Sequence, residues 1–317
     1  MLRRSSGNIL RRTEPPQGDA AALAEEFSAK FLPGPAELGG LTQDARAAVR
    51  AVAYKGHHAF GAGEMDLLPN LGVIANYGVG YDAIDVTAAN ARGIKVTNTP
   101  DVLNDDVADV AVGLLLMHGR KMIAAADWAR SGNWAAKGEF PLNRKISGGR
   151  VGILGLGRIG REIANRLAAF KCEVHYFARS EKQTPGWIYH ADPVALAAAV
   201  DYLVVATVGG AATQGIVSKA VIEALGPKGI LVNISRGTTV DEAALIAALE
   251  SGELGGAALD VFLNEPNIDP RFYALPNVTI QPHQGSGTVE TRLEMAALQR
   301  RNVAAFLKGA ALETPVN

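Results

Sequence analysis

A glycine-rich hexapeptide constrains the fold of this chain more than any other stretch of its sequence. Gly155-Leu-Gly157-Arg-Ile-Gly160 follows directly on an apolar run, residues 151–154, and opens a helical pattern that continues to about Phe170. In a strand–turn–helix unit, the first glycine permits a tight turn, the second lets the backbone approach a pyrophosphate, and the third lets helix and strand pack closely. The helix N-terminus adds free N–H groups and partial positive charge, so this stretch predicts a dinucleotide site. The residues predicted to line it are Gly155, Gly157, Arg158, Ile159 and Gly160.

Apolar runs of strand length alternate with segments long enough for helices around this loop. Such alternation is typical of a parallel sheet that is covered on both faces. The predicted fold class is therefore α/β, with a doubly wound parallel sheet (a Rossmann fold) from about residue 150 onward. The six strands predicted there are residues 150–154, 172–177, 201–207, 229–234, 257–261 and 277–281.

A second, smaller α/β region precedes the first in the sequence. Residues 85–92 have helical spacing, and Gly93 is placed to end that helix. The stretch of residues 102–126 is apolar on almost every side, which predicts one long buried helix. A final helical pattern covers residues 288–308. The strands predicted for this region are residues 51–54, 72–76 and 94–97.

The composition excludes several classes of function. The 317 residues carry 31 Lys and Arg against 32 Asp and Glu, so no net positive field attracts nucleic acid or an anionic membrane. No apolar run reaches the ~18 residues of a membrane span. The single cysteine, Cys172, allows neither an intrachain disulfide nor a multi-cysteine metal site, and we expect it to be a small buried core residue. We expect a metal-free protein of the cytoplasm.

The first residues of the chain are rich in arginine, and no acid precedes Glu14. Such a stretch is typical either of a transit peptide or of an irregular N-terminus that leads into a first strand. The second interpretation is favoured because the stretch has neither a clear amphipathic pattern nor an apolar core. The arginines concerned are Arg3, Arg4, Arg11 and Arg12.

The end of the second strand of the Rossmann unit distinguishes between the two nicotinamide cofactors. An NAD enzyme usually has an acid there, about 20 residues after the glycine loop, which binds the ribose 2′-hydroxyl. This chain has Arg179 and Ser180 instead, and a guanidinium and a hydroxyl can bind a 2′-phosphate that an acid would repel. The predicted cofactor is NADP(H). The alternative is NAD(H), with Arg179 as a solvated surface residue.

Three polar stretches follow the last strands of the predicted sheet, at the carboxyl edge where ligands bind in an open α/β sheet. They contribute Arg236, Glu265 and His283. Reduction of a carbonyl requires a proton for the oxygen that becomes negative, and a histidine beside a carboxylate can supply it near neutral pH. Arg236 keeps its charge and has the planar group that binds a carboxylate. The combination predicts a catalytic site for a 2-oxo acid.

Besides the glycine loop, the chain contains Val79-Gly80-Tyr-Asp82-Ala-Ile-Asp85, Val96-Thr-Asn-Thr-Pro100, Ser235-Arg236-Gly237, Leu259-Asp260-Val261, Glu265-Pro266 and Pro282-His283. With these motifs, residues 67–315 resemble the D-isomer-specific 2-hydroxyacid dehydrogenase family. Residues 101–109 and 285–292 look most like its NADPH-dependent glyoxylate/hydroxypyruvate and hydroxyphenylpyruvate reductases. The resemblance implies that His283 donates a proton, that Glu265 is its hydrogen-bonded partner and that Arg236 holds the substrate.

The resemblance also implies two binding roles. Asp260 would contact the nicotinamide amide of the cofactor. The backbone N–H groups around Val79 and Gly80 would hold the substrate carboxylate, since glycine-rich turns offer groups of amides that bind anions. The residue types of this turn do not by themselves identify the second site.

The family architecture implies a flavodoxin-like substrate domain of residues 1–98 and 285–317. A dinucleotide-binding domain of residues 99–284 would interrupt it, with the catalytic cleft between the two. By the same resemblance, residues 102–126 would belong to a homodimer interface. Trp134 would either reach towards the partner's active site or pack in the core or a linker.

The leading function is reduction of a small 2-oxo acid, glyoxylate or hydroxypyruvate, to the D-2-hydroxy acid. One alternative is reduction of an aryl 2-oxo acid such as hydroxyphenylpyruvate, and another is a non-catalytic nucleotide-sensing protein of the same fold. Residues 208–215 depart from the family's Pro-Leu-Thr run. The loop with His57 and His58 is expected to be a pocket rim or simple surface, because consecutive extended residues point to opposite sides.

Overall fold

The computed structural model of the protein describes residues 8–11 and 17–317. The chain divides into two compact units, one of residues up to Leu103 together with Thr288–Asn317, the other of Asn104–Gly287. Each unit has its own sheet and its own hydrophobic core. The predictions made for Arg3, Arg4 and Arg12, and for the side chain of Arg11, lie outside the described part of the chain.

The described residues form twelve strands and twelve α-helices, and none of these helices is both long and apolar enough to cross a bilayer. The strands are β1 (Asn8–Arg11), β2 (Lys30–Phe31), β3 (Val49–Tyr54), β4 (Val73–Asn76), β5 (Lys95–Thr97), β6 (Arg150–Leu154), β7 (Glu173–Phe177), β8 (Ile188–His190), β9 (Tyr202–Val205), β10 (Ile230–Asn233), β11 (Gly256–Leu259) and β12 (Val278–Ile280). The helices are α1 (Gln17–Phe27), α2 (Gln43–Ala47), α3 (Ala62–Asp66), α4 (Val86–Ala91), α5 (Asn104–Gly119), α6 (Met122–Arg130), α7 (Asn133–Lys137), α8 (Arg158–Ala169), α9 (Pro193–Ala199), α10 (Lys219–Leu225), α11 (Glu242–Ser251) and α12 (Val289–Leu307).

Both sheets are parallel throughout their described strands. The first unit has the order β2-β1-β3-β4-β5, which is the flavodoxin-like order of a doubly wound sheet. The second unit has the order β8-β7-β6-β9-β10-β11-β12, which is the Rossmann order with one further strand. The predicted fold class is confirmed in both units.

All six strands predicted for the second unit are present, with bounds that differ by a few residues. The sequence pattern does not predict β8, which pairs with β7 at the edge of the sheet and has no buried residue. In the first unit it does not predict β1 and β2 either. Short strands of this kind lack the continuous apolar run by which a buried strand is recognised.

One prediction is wrong, because residues 102–126 do not form a single buried helix. α5 ends at Gly119, Lys121 adopts a left-handed conformation with φ +46°, and α6 begins after it. α5 packs against α8 and the strands β10 to β12, whereas α6 has no buried residue. A Cβ atom on Gly119 would lie only 2.6 Å from Ile146, and the two charged residues that follow stay in solvent. The helix therefore stops where its core contact ends.

The last helix of the chain completes the core of the first unit. α12 packs on β3 and β4, and its Gln299 side chain is fully buried. The Gln299 amide donates hydrogen bonds to the backbone carbonyls of Tyr54 and Ala75, at 3.1 and 2.7 Å. The first sheet thus depends on a helix that lies more than 200 residues later in the chain, as the contact between Gln299 and Ala75 shows.

The segment that follows α12 is fixed beside β5. Asn302 is fully buried, and its side-chain oxygen accepts the N–H groups of Glu313 and Thr314 at 3.0 and 3.2 Å. The Thr314 hydroxyl donates to the Asn98 carbonyl at 2.6 Å. These hydrogen bonds hold the residues after β5, which border the glycine turn described below.

Candidate active site

The glycine loop after β6 is shaped by two close backbone contacts. Gly155 has φ +107°, and a Cβ atom there would lie 2.7 Å from the Thr207 nitrogen. A Cβ atom on Gly160 would lie 2.0 Å from the Gly155 carbonyl oxygen. Gly157 caps the N-terminus of α8, and the position of its Cβ has open space around it. The loop therefore packs tightly at Gly155 and Gly160 and leaves room over Gly157, as a bound diphosphate requires.

Two predicted cofactor residues open helix α8. Arg158 is exposed and Ile159 is half-buried. Their backbone N–H groups belong to the first turn of a twelve-residue helix, where they lack intrahelical acceptors and carry partial positive charge. The structure thus places both residues where they can contribute backbone N–H groups to an anion.

The segment after β7 presents a second cation beside the predicted Arg179 and Ser180. Both of these residues are exposed, and the Lys182 ammonium donates to the Ser180 hydroxyl at 3.4 Å. The buried Tyr176 phenol fixes Lys182, because it accepts the Lys182 N–H at 2.8 Å and donates to the Lys182 carbonyl at 3.0 Å. Sequence reasoning missed Lys182, although a cation three residues after Arg179 was the available signal.

The loop after β10 carries Arg236 and is held from inside by Asn233. The buried Asn233 side chain donates to the Arg236 carbonyl at 2.9 Å and accepts the Ser235 N–H at 3.0 Å. The Arg236 guanidinium is half-buried and donates to the Ser235 carbonyl at 2.8 Å. A Cβ atom on Gly237 would lie 2.0 Å from the Phe262 backbone, so this loop touches the loop that carries Glu265.

Glu265 and His283 form a hydrogen-bonded pair. The His283 Nδ1 atom lies 2.7 Å from one Glu265 carboxylate oxygen, and the other oxygen accepts the Phe262 N–H at 2.8 Å. Both side chains are partly buried, with 32% of His283 and 21% of Glu265 exposed. Because Glu265 contacts Nδ1, the Nε2 atom on the opposite side of the ring is the one that points away from this carboxylate. The pair has the arrangement of a positioned general acid.

Asp260 shapes the backbone around His283. Its carboxylate is buried, and its oxygens accept the N–H groups of Gln284 at 2.6 Å and Gly285 at 2.8 Å. The His283 N–H donates to the Asp260 carbonyl at 2.9 Å. Burial raises the pKa of Asp260, and the two backbone hydrogen bonds oppose that rise. The structure places this carboxylate under the His283 loop, and its contact with a nicotinamide amide stays a prediction.

In the second unit, the predicted catalytic residues lie on one side of the glycine loop, and the residues predicted to select the cofactor lie on the other side. Arg236, Asp260 and His283 follow the neighbouring strands β10, β11 and β12 at one edge of the sheet. Arg179 and Ser180 follow β7, on the other side of β6 and its glycine loop. An extended dinucleotide that crosses the switch point between β6 and β9 would meet both groups, one at each end.

In the first unit, the turn after β4 points its carbonyl groups inward. The Asn76 side chain donates to the carbonyls of Gly78 and Gly80 at 3.0 and 2.9 Å, and the Asn98 side chain donates to that of Val79 at 2.9 Å. The N–H groups of Val79 and Gly80 find no hydrogen-bond acceptor among residues 8–11 and 17–317. Adjacent backbone N–H groups of this kind bind anions.

The remaining predicted features are placed as follows. Cys172 is buried, and burial raises the pKa of its thiol, so its interpretation as a core residue is confirmed. Trp134 lies in α7 with 68% of its surface exposed within this chain, which contradicts a core position. The loop of residues 208–215 exposes Val208, and the Thr213 hydroxyl donates to the Val208 carbonyl at 2.6 Å.

A family model confirms what this geometry indicates. Residues 112–285 match the D-isomer specific 2-hydroxyacid dehydrogenase, NAD binding domain. The chain belongs to this family. It is therefore an oxidoreductase of the D-2-hydroxyacid dehydrogenase type, and the resemblance seen in its sequence motifs is confirmed.

Characterised relatives cover most of the chain. It is 46% identical to hydroxyphenylpyruvate reductase of Plectranthus scutellarioides, over 84% of this chain and 85% of that protein. It is also 46% identical to glyoxylate/hydroxypyruvate reductase A of Arabidopsis thaliana, over 87% of this chain and 88% of that protein. These two members of the family carry names for different 2-oxo acid substrates.

Solved structures of the family match nearly the full length of the chain. The 2-hydroxyacid dehydrogenase from Ketogulonicigenium vulgare Y25 has a TM-score of 0.90 and 48% identity, over 98% of each chain. The NADPH-dependent glyoxylate/hydroxypyruvate reductase from Sinorhizobium meliloti, in complex with NADP and malonate, has a TM-score of 0.93 and 42% identity, over 98% of this chain and 97% of that one.

Gly157 and Gly160 allow a matched test of the cofactor loop. We expect Gly160→Ala to lower the free energy of unfolding by about 1–3 kcal/mol, because the added methyl group overlaps the Gly155 carbonyl. Gly157→Ala should cost less than about 1 kcal/mol, since its Cβ enters open space at a helix cap. It should nevertheless weaken NADPH binding about tenfold or more, because the methyl group occupies the room over the helix N-terminus.

Urea unfolding and a fluorescence titration with NADPH measure the two effects separately. Equal losses of stability in the two variants, or unchanged NADPH binding by Gly157→Ala, would contradict the roles given to these glycines.

Proposed function

We propose that this dehydrogenase reduces small 2-oxo acids, glyoxylate and hydroxypyruvate first, to D-2-hydroxy acids with NADPH. The pair of His283 and Glu265, 2.7 Å apart at the carboxyl edge of the sheet that carries the glycine loop, is the observation that supports it. Hydroxyphenylpyruvate is the second candidate substrate, since the relative named for it is as similar, at 46% identity, as the relative named for glyoxylate and hydroxypyruvate. A nucleotide sensor without turnover has no use for the pair.

In the proposed reaction, bound NADPH supplies the hydride that reaches the carbonyl carbon of the 2-oxo acid. His283 donates the Nε2 proton to the carbonyl oxygen, which becomes the hydroxyl of the product. Glu265 accepts the Nδ1–H of His283 and orients the ring. Arg236 holds the substrate through its guanidinium, and the N–H groups of Val79 and Gly80 bind the substrate carboxylate.

We propose that the two compact units bind different molecules. The second unit binds the dinucleotide, and the residues that contact it are Gly155, Gly157, Arg158, Ile159, Gly160 and Asp260. The first unit serves as the substrate domain, through its turn at Val79 and Gly80. In this assignment the second unit also contributes Arg236 and His283 to the substrate.

The preference for NADPH is attributed to Arg179, Ser180 and Lys182, which offer two cations and a hydroxyl after β7. We expect Arg179→Gln to raise the KM for NADPH about tenfold and to leave the KM for NADH nearly unchanged, because only NADPH has the 2′-phosphate. Initial rates with both cofactors measure this. Lys219→Gln is the matched control, since Lys219 is an exposed cation of the same unit that pairs with Glu223. A tenfold preference of the unmodified enzyme for NADH would contradict the assignment.

Two substitutions test the proton donor. We expect His283→Asn to lower kcat by about 10²–10⁴-fold, because it removes the group that protonates the developing alkoxide. Glu265→Gln should lower kcat less, since it keeps a hydrogen-bond acceptor at Nδ1 but removes the negative charge. Single-turnover measurements with glyoxylate and NADPH report the chemical step.

The matched control for the Glu265 variant is Glu223→Gln, an exposed carboxylate on α10. An unchanged kcat in His283→Asn would overturn the proton-donor role. A complete absence of turnover with every 2-oxo acid, alongside tight NADPH binding, would instead favour the sensor.

We propose that the enzyme is a cytoplasmic homodimer. The stretch of residues 122–142 exposes four large apolar side chains, more than a monomer usually leaves to solvent in one stretch. A second copy of the chain would cover them, and Trp134 would reach the partner through this surface. These side chains are Met122, Ile123, Trp134 and Leu142.

Sedimentation analysis of the unmodified enzyme should therefore show a dimer, and Ile123→Glu should shift it towards the monomer because a buried charge disfavours the interface. Ile188→Glu is a suitable control, since Ile188 is an exposed apolar residue outside this stretch. A monomer in the unmodified protein would contradict the proposal.

A further inference from the structure

Residues 179–186 lie between β7 and β8 and carry the groups proposed to select NADPH. In the part of the chain that the structure describes, the backbone of this segment makes no hydrogen bond to other backbone groups. Side chains hold it instead, since the Tyr176 phenol fixes Lys182 and the Thr184 hydroxyl accepts the Trp187 N–H at 3.1 Å. A loop without backbone hydrogen bonds is ordered only by contacts of this kind, so its conformation depends on a few side chains.

Arg161 joins this segment to helix α8. Its guanidinium is half-buried, donates to the Gln183 carbonyl at 3.1 Å and lies 5.7 Å from the centroid of the Trp187 ring, a distance at which a cation is attracted to the ring. The Arg161 N–H donates to the Gly157 carbonyl at 2.9 Å, at the start of the helix that the glycine loop opens. The position of segment 179–186 is therefore tied to the N-terminus of α8.

This connection joins the two elements proposed to bind the two phosphate groups of one nucleotide. The free N–H groups at the N-terminus of α8 suit the diphosphate, and Arg179, Ser180 and Lys182 suit the 2′-phosphate. In NADPH both groups are attached to the same ribose, one at C5′ and the other at C2′, so the distance between them is nearly fixed. A protein that binds both must keep a matching distance between α8 and the segment.

We propose that Arg161 is a positioning residue for NADPH, which holds segment 179–186 at the distance from α8 that the two phosphate groups require. It acts through Gln183 and Trp187 and not through a contact with the cofactor. Because the segment is already ordered in the free enzyme, less conformational entropy is lost when the 2′-phosphate binds. NADH gains much less from this order. The inference rests on the proposed function, which assigns the 2′-phosphate to this segment.

Calorimetric titrations with NADPH and with NADH give two dissociation constants for each variant, and their ratio measures the preference. We expect Arg161→Gln to weaken NADPH binding about fivefold or more, because one hydrogen bond and one cation–π contact that order the segment are lost. NADH binding should change less than about twofold, since the diphosphate site is intact. Arg161→Lys should retain most of the preference, because an ammonium can still donate to the carbonyl and contact the ring.

Two variants without any change of charge separate positioning from a direct effect of the guanidinium charge. Trp187→Leu removes the ring that Arg161 contacts, and it should weaken NADPH binding selectively, as Arg161→Gln does. Thr184→Ala is milder, because it removes only the hydroxyl that accepts the Trp187 N–H. It should lower the preference in the same direction.

Arg144→Gln is the matched control. Arg144 also lies over an aromatic ring, 4.9 Å from the centroid of Tyr202, and it also donates to a backbone carbonyl, that of Lys228. Tyr202 begins β9 and Lys228 precedes β10, so this contact lies at the amino edge of the sheet, away from segment 179–186. The variant should leave the ratio unchanged. Thermal unfolding shows which variants are folded, and the comparison uses those only.

Each outcome decides the inference. A selective loss of NADPH binding in Arg161→Gln and in the variants without a charge change supports it. Equal losses for both cofactors overturn it, because they indicate a general structural role. A selective loss in Arg161→Gln alone also overturns it, since the guanidinium charge would then act on the phosphate directly.

The failure of this inference is distinct from the failure of the proposed function. An unmodified enzyme that binds NADH as tightly as NADPH contradicts the proposed preference, and the inference falls with it. An unmodified enzyme that prefers NADPH, with the same preference in Arg161→Gln, overturns the inference alone.

Discussion

The arrangement of the proposed catalytic residues depends on the buried carboxylate of Asp260. Its oxygens accept two consecutive backbone N–H groups of the loop after β12, while its own N–H donates to the Asn233 carbonyl at the end of β10. One residue therefore joins the ends of three strands. A charge that is removed from water requires such hydrogen bonds, so only a loop conformation that supplies them lets the carboxylate stay buried. The position of His283 follows from that requirement.

In both units, buried asparagine side chains fix the backbone of a loop at the carboxyl edge of the sheet. Asn233 binds the carbonyl of Arg236 in the second unit, and Asn76 and Asn98 bind the carbonyls of the turn at Gly78 to Gly80 in the first. Each side-chain amide donates to backbone carbonyls of the loop beyond the strand end and so holds those carbonyls against the protein. In the first unit, the N–H groups of Val79 and Gly80 have no acceptor among the described residues, which suits an acidic ligand.

Local patterns predicted the features that depend on neighbouring residues, and tertiary contacts decided the rest. The glycine loop and six of the seven strands of the second sheet are visible in the sequence because turn geometry and continuous burial impose residue types at fixed spacings. The break at Lys121 is not visible, since it follows from where the core contact of Gly119 ends. The position of Lys182 depends on the Tyr176 phenol, and the Tyr77 ring contacts Lys55 and Arg292, two residues far apart in the chain.

The discontinuous first unit has a consequence for biosynthesis. A chain that emerges from the ribosome N-terminus first presents β3 and β4 long before α12, whose Val303 and Gln299 cover and cap them. The second unit, Asn104–Gly287, is contiguous and is complete before α12 is made. Nascent chains should therefore fold the second unit first. Until α12 is made, the apolar face of the first sheet stays uncovered, and at this stage aggregation competes most strongly with folding.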